Sequence, residues 1–190
     1  MPLFRTVEPP VEPVTLNEAK AHLRVSHASE DDLIASLIRA ARDEVEKATG
    51  TALIDQSWRM TLDRWPRNAV ATIARHPVKQ ILSVTAFGRD GAATLVDPGA
   101  YTLDALSRPA RLHFDGRPAA DRVMNGIEID FSAGFGEAGT DVPDLLKRAI
   151  LMLVAHWYEF RGAFDAGDQP VAYPPGYERM ISAYRLRRIG

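Results

Sequence analysis

Three blocks of hydrophobic patterning follow one another along this 190-residue chain. From residue 15 the apolar positions recur at helical spacing. Thr15-Leu-Asn-Glu18 spells a capping box, so a helix begins there with Leu16, Ala19 and Leu23 on its buried side. A second helix starts near Ser29 and stops at Gly50, with Leu33, Ile34, Leu37, Ile38, Ala41 and Val45 as its stripe. Its other face carries Arg39, Arg42, Asp43, Glu46 and Lys47 and reads as solvated, or as a meeting face for a partner subunit. Past Gly50 the period drops to two. Ile54, Gln56, Trp58, Met60 and Leu62 alternate on one strand face. Short strands are predicted at 69–74, 80–87, 94–96, 100–103, 111–114 and 126–131, separated by Pro, Gly and Asp turns. Strands in series with no helix between them pair antiparallel.

Helical period returns at Pro143, a favoured first-turn residue. Leu146, Ala149, Ile150, Leu153, Trp157 and Phe160 form the stripe, and Leu145, Met152 and Val154 widen it. A helix this apolar is buried on most sides. Residues 162–176 are rich in Gly and Pro and read as a loop; residues 177–188 carry Tyr177, Ile181 and Tyr184 on one side of a short amphipathic piece.

The expected fold is therefore α+β: a small bundle of about four helices with an inserted antiparallel β domain. Residues 15–50 and 141–190 form the helical domain, and 51–140 the insertion. Residues 1–14, with Pro2, Pro9, Pro10 and Pro13, form an extended N-terminal segment, either a frayed end or an arm lying on a neighbouring subunit.

Composition narrows the function. The net charge of −2 disfavours bulk electrostatic binding to nucleic acid. Absent cysteine removes disulfides, thiolate nucleophiles and cysteine metal sites, and fits a reducing compartment. No signal-peptide pattern opens the chain and its longest apolar run, 149–155, is short of a membrane span, so a soluble protein of the cytoplasm, or of something assembled there, is expected.

Gly134, Gly136 and Gly139 spell G-x-G-x-x-G between a strand and a helix, the outline of a dinucleotide site and the basis of an alternative reading as a nucleotide-binding enzyme. Against it, the helix starts four residues late and no second strand follows. The glycines then serve as a turn. His156 and Glu159 sit one helical turn apart, which suits either a metal pair or a polar seam, and a metal site needs more ligands than these two. No serine, histidine or acidic constellation fits a catalytic centre, and no cofactor or metal is expected. Among the aromatics 157–164, Trp157 and Phe160 lie on the stripe, while Tyr158 and Phe164 lie off it and face either a local core or another subunit. The tail carries Arg179, Arg185, Arg187 and Arg188 against Glu178. It reads as a solvated end, an arginine-rich docking segment or, more weakly, a DNA contact.

VTLNEAKAHLRV (residues 14–25), the stretch 30–66, the segment 127–161 with VPDLLKRAILMLVAHWYEFR, and the ending Tyr184-Arg185 together resemble the head–tail connector, or adaptor, proteins of long-tailed phages, prophages and gene-transfer agents. The longer subfamily, with a β block inserted in the helical connector, is the most similar. The resemblance implies a non-enzymatic ring of about twelve copies under the portal protein, a closed cyclic assembly. Such a ring meets a tail-side stopper or joining protein and lets double-stranded DNA pass through its lumen without specific binding. It implies a place in the neck of a phage-like particle assembled in the bacterial cytoplasm. Portal docking then falls to Tyr177, Tyr184, Arg185, Arg187 and Arg188, and subunit contacts to Trp157, Tyr158 and Phe164.

Overall fold

The computed structural model describes residues 2–160 and 173–185. Phe164, Arg187, Arg188 and most of the 162–176 loop lie outside the described residues. The chain divides into two compact units, one of Met1–Pro10 with Asp55–Phe135 and one of Val11–Ile54 with Gly136–Gly190. The sequence pattern places the corresponding boundaries at 50/51 and 140/141.

The first unit is all β. Its strands are β1 (Leu3–Val7), β2 (Gln56–Leu62), β3 (Val70–Ile73), β4 (Val78–Phe87), β5 (Ala93–Leu95), β6 (Tyr101–Asp104), β7 (Ala110–Phe114) and β8 (Ile127–Ala133). They form a five-stranded sheet in the order β1-β2-β8-β4-β5 and a three-stranded sheet in the order β3-β7-β6, with every pairing antiparallel. Strict alternation in β8 sets the inner face. Ile127, Ile129, Phe131 and Ala133 are buried while the residues between them are half-exposed. In register across β2 lie Leu62, Met60 and Trp58, so apolar side chains meet as cross-strand pairs. The opposite face holds a polar cluster. Arg59 donates to both oxygens of its register partner Asp130, at 2.7 and 2.8 Å, and reaches Glu128 at 2.8 Å.

The sequence predicts residues 1–14 as extended, either frayed or lying on a neighbour, and part of this extended segment is tied down within the chain itself. Leu3–Val7 pairs with β2 as the edge strand of the sheet. Pro2 and Pro9 flank this strand without interrupting its ladder, which is where a sheet tolerates proline. Val14, at the other end of the segment, is fully buried in the second unit.

The second unit holds the helices α1 (Leu16–Leu23), α2 (Asp31–Thr49), α3 (Asp144–Phe160) and α4 (Tyr177–Ile181). The capping box forms as read. Thr15 Oγ1 accepts from the Glu18 N–H at 3.2 Å, and the Glu18 carboxylate accepts from the Thr15 N–H at 2.7 Å. α2 ends where Gly50 takes φ +74°, its N–H returning to the Glu46 carbonyl at 2.9 Å. Ile34, Ile38, Ala41 and Val45 of α2 and Leu146, Ala149, Ile150 and Leu153 of α3 make the core between the packed helices. Each fully buried isoleucine or leucine there contributes about 2 kcal/mol of gross hydrophobic stabilisation.

Arg42 and Glu46 depart from the expected solvated face of α2. They are only 3% and 1% exposed. The chain after Gly50 turns back so that the Leu53 N–H donates to Glu46 at 2.7 Å, and Arg42 pairs with Glu12 at 2.8 Å. Periodicity misses this because the stripe counts apolar residues only.

Candidate docking surface

The C-terminal segment of the helical unit is the site marked out by the sequence. α4 packs against α3 and α2. Tyr177 and Ile181, one turn apart, are both fully buried, so they hold the short helix down. Tyr177 stacks on Tyr173 with ring centroids 4.7 Å apart, and the Tyr173 hydroxyl donates to Glu44 of α2. That hydrogen bond holds the Tyr173 phenol above its ordinary pKa, and burial pushes Tyr177 higher still. After Ile181 the chain tightens into a 3-10 turn, Ser182–Tyr184, and then extends at Arg185.

This placement separates the five proposed anchors. Tyr177 is a core residue whose ring is wholly covered within its own unit. Tyr184 is half-buried and Arg185 exposed. Arg185 meets the exposed Glu178 at 2.6 Å. An ion pair this open to water contributes little, so the guanidinium can exchange Glu178 for a carboxylate on a partner at small cost. Arg187 and Arg188 follow beyond the described residues.

The α3 aromatics are also redistributed. Tyr158 is 8% exposed and its hydroxyl donates to Glu30, so it belongs to the helical core and not to an outward face. Phe160, expected inside, is 38% exposed and packs edge-on against His156 at 4.7 Å. Trp157 is half-buried. Leu145, counted in the stripe, is 51% exposed. Leu146, Ala149, Ile150, Leu153 and Val154 are buried as the pattern predicts. Apart from Leu145, only the C-terminal end of the stripe departs, with Tyr158 inside in place of Trp157 and Phe160.

The glycine turn is filled by the chain itself. A Cβ on Gly134 would lie 2.3 Å from the Asp55 carboxylate, one on Gly136 2.1 Å from that of Asp141, and one on Gly139 2.7 Å from the Pro13 carbonyl oxygen. Asp141 also accepts from the Ala138 N–H at 3.0 Å, which closes the turn. The glycines are required by close packing, and the space a pyrophosphate would need is taken. Among the described residues no three His, Cys, Asp or Glu side chains cluster to hold a metal ion, and no helix is long and apolar enough to cross a membrane.

Comparison with known proteins adds an independent observation. Residues 13–84 match the family model of phage gp6-like head-tail connector proteins. The chain is similar over its whole length to a chain in the neck of an empty gene transfer agent particle computed with C6 symmetry, with 27% identity, TM-score 0.82 and 98% of that chain covered. It is equally similar to a chain of the native gene transfer agent virion, at 28% identity and TM-score 0.83, with 100% and 98% of the two chains covered. A chain of the native particle's neck computed with C12 symmetry aligns at 27% identity and TM-score 0.80, over 100% and 98% of the two chains. No curated protein sequence matches.

Proposed function

We propose that this chain is a structural head–tail adaptor. It forms a ring in the neck of a phage-like particle, beneath the portal, and links the portal to tail components. The observation that carries this reading is the match of 100% of the chain to neck components of gene transfer agent particles, helical unit and β unit alike. The connector family model over 13–84 agrees with it and covers α1, α2 and the first strands after them. Cyclic symmetry in the similar necks supports a closed ring of about twelve copies. Double-stranded DNA passes through its lumen without specific binding, and the particle is assembled in the bacterial cytoplasm.

Burial in the C-terminal segment supports a narrower set of proposed anchors. Tyr177 and Ile181 anchor the segment to its own helical unit. Tyr184 and Arg185, with Arg187 and Arg188 beyond, are left to reach the portal. Their chemistry suits acidic or carbonyl-rich surfaces, since arginine presents a planar fork of donors. The test is to remove residues 185–190 and leave Tyr177 and Ile181 in place. The truncated protein is expected to keep its melting temperature and to be lost from purified particles. Normal incorporation would overturn the docking assignment.

A further inference from the structure

The connection between β6 and β7 is stapled from inside by one carboxylate. Asp104 accepts from the N–H groups of Leu106 and Ser107 at 3.2 and 3.1 Å, from the Ser107 hydroxyl at 2.6 Å and from the Arg111 guanidinium at 3.0 and 2.6 Å. These bonds fix the tip, and the tip holds Leu106 out at 96% exposure, the highest of any large apolar side chain among the described residues. A fixed apolar side chain in water gives the fold nothing and is preorganised for burial elsewhere. Arg108 stands exposed beside it.

The helical unit carries a matching depression. Val11, Val14, Leu16, Ala35 and Ile38 line a groove of about 230 Å³ whose polar margin is Glu12 and Arg39. For scale, an apolar cavity of roughly 150 Å³ holds a benzene-sized guest, so a leucine side chain fits. A second groove shares Val11, Glu12 and Thr15 and is bordered by Glu18, Glu137 and Lys147. Glu18 is engaged with Thr15 and Lys147, while Glu137 is an exposed carboxylate. Glu12, Glu18 and Glu137 against Arg39 and Lys147 leave the two margins with one net negative charge; Glu12 is already shared with Arg42, so the exposed Glu137 is the carboxylate that complements Arg108.

A cyclic ring of more than two copies needs two different patches on each copy, each meeting the other on a neighbour. We propose, resting on the ring reading above, that Leu106 of one copy inserts into the groove beside Val11 and Ile38 of the next copy. Arg108 then faces Glu137 on the margin of the adjoining second groove. The contact is heterologous, so it repeats around the ring and closes with it.

The chain contains no cysteine, which gives disulfide trapping a clean background. The double variant Leu106→Cys/Val11→Cys, oxidised inside purified particles, is expected to give a ladder of covalent multimers on a non-reducing gel. Each single variant is expected to stay monomeric. A second variant, Leu106→Lys, is expected to keep the wild-type melting temperature and to lose at least about tenfold in incorporation, as for a burial lost at an interface hot spot. Particles whose neck contains the ring but whose double variant stays monomeric would overturn the knob-and-groove contact and leave the ring standing. So would wild-type incorporation of Leu106→Lys. Wild-type particles with no ring of this protein would overturn the ring reading itself, and the contact with it.

Discussion

Tyr177 stacks on Tyr173 at 4.7 Å between ring centroids, with the planes 25° apart, and so ties the C-terminal segment to the helical unit. The Tyr177 ring is completely covered, yet its hydroxyl has no hydrogen-bond partner among the described residues. Tyr177→Ala should therefore lower unfolding stability by about 3 kcal/mol, as large-to-small aromatic changes do. Tyr177→Phe should be neutral or stabilising by up to about 1 kcal/mol, since it removes an unpaired polar atom. Urea unfolding of the three proteins measures both effects. A loss on Tyr177→Phe equal to that on Tyr177→Ala would contradict the packing assignment.

Glu46 is the second lever. Its carboxylate is buried, accepts from the Leu53 N–H, and lies 3.5 Å from the buried Arg42. Glu46→Ala removes a buried acceptor and one of the charges facing Arg42, with an expected cost of about 3 kcal/mol. Substituting the exposed Asp43 by Ala, on the same helix and also paired with Arg42, should cost less than about 1 kcal/mol. Chemical denaturation of the two variants gives the comparison, and equal costs would contradict the distinction.

The glycine turn makes a prediction that separates packing from ligand binding. Gly136→Ala places a methyl group in contact with Asp141 and should cost about 2 kcal/mol, in the range for overpacking a filled site. Millimolar NAD or ATP should leave the wild-type melting temperature unchanged, because a ligand that binds the native state raises it. A rise with either nucleotide would revive the enzyme reading.

Acid should weaken the helical unit at α1. Glu18 is held below the usual carboxylate pKa, chiefly by the Thr15 N–H, with Lys147 assisting. His22 is held below the usual imidazole value, chiefly by burial and further by Arg148. Both groups therefore bind protons more readily in the unfolded chain. Stability rises with pH wherever that holds. The contributions are present above the unfolded values, near pH 6.5 for the histidine and near pH 4.3 for the glutamate, and are lost as pH falls through the folded ones. Melting temperature against pH should decline toward acid, with the part of the decline that begins below the ordinary imidazole range missing in His22→Ala and the part that begins below the ordinary carboxylate range reduced in Glu18→Gln.

Much of the fold was legible because its signals are local. The capping box at Thr15, the Gly50 stop and the β8 alternation each depend on neighbours within a few residues, and each forms as read. The misreadings share a different cause. β1 takes its place only because β2 offers an edge some fifty residues further on, so nothing in the proline-rich start announces it. Arg42 and Glu46 are buried by a turn that lies beyond their own helix. Tyr158 and Phe160 exchange roles because the angle of α3 against its neighbours depends on all the packed side chains and not on period alone. At the C-terminal segment, Tyr184 is half-buried and Arg185 exposed, while Tyr177 is fully buried, a difference of packing that the short amphipathic pattern does not carry. The exposed leucine at 106 carried no periodic signal at all, being a single residue in a turn.

The most direct test of the adaptor reading is electron cryomicroscopy of purified particles, with mass spectrometry to establish that the protein is present. The account predicts a closed cyclic ring of this chain in the neck next to the portal, with residues 184–190 running onto the portal surface. Particles whose neck has no density for the chain, or from which the protein is missing, would contradict it.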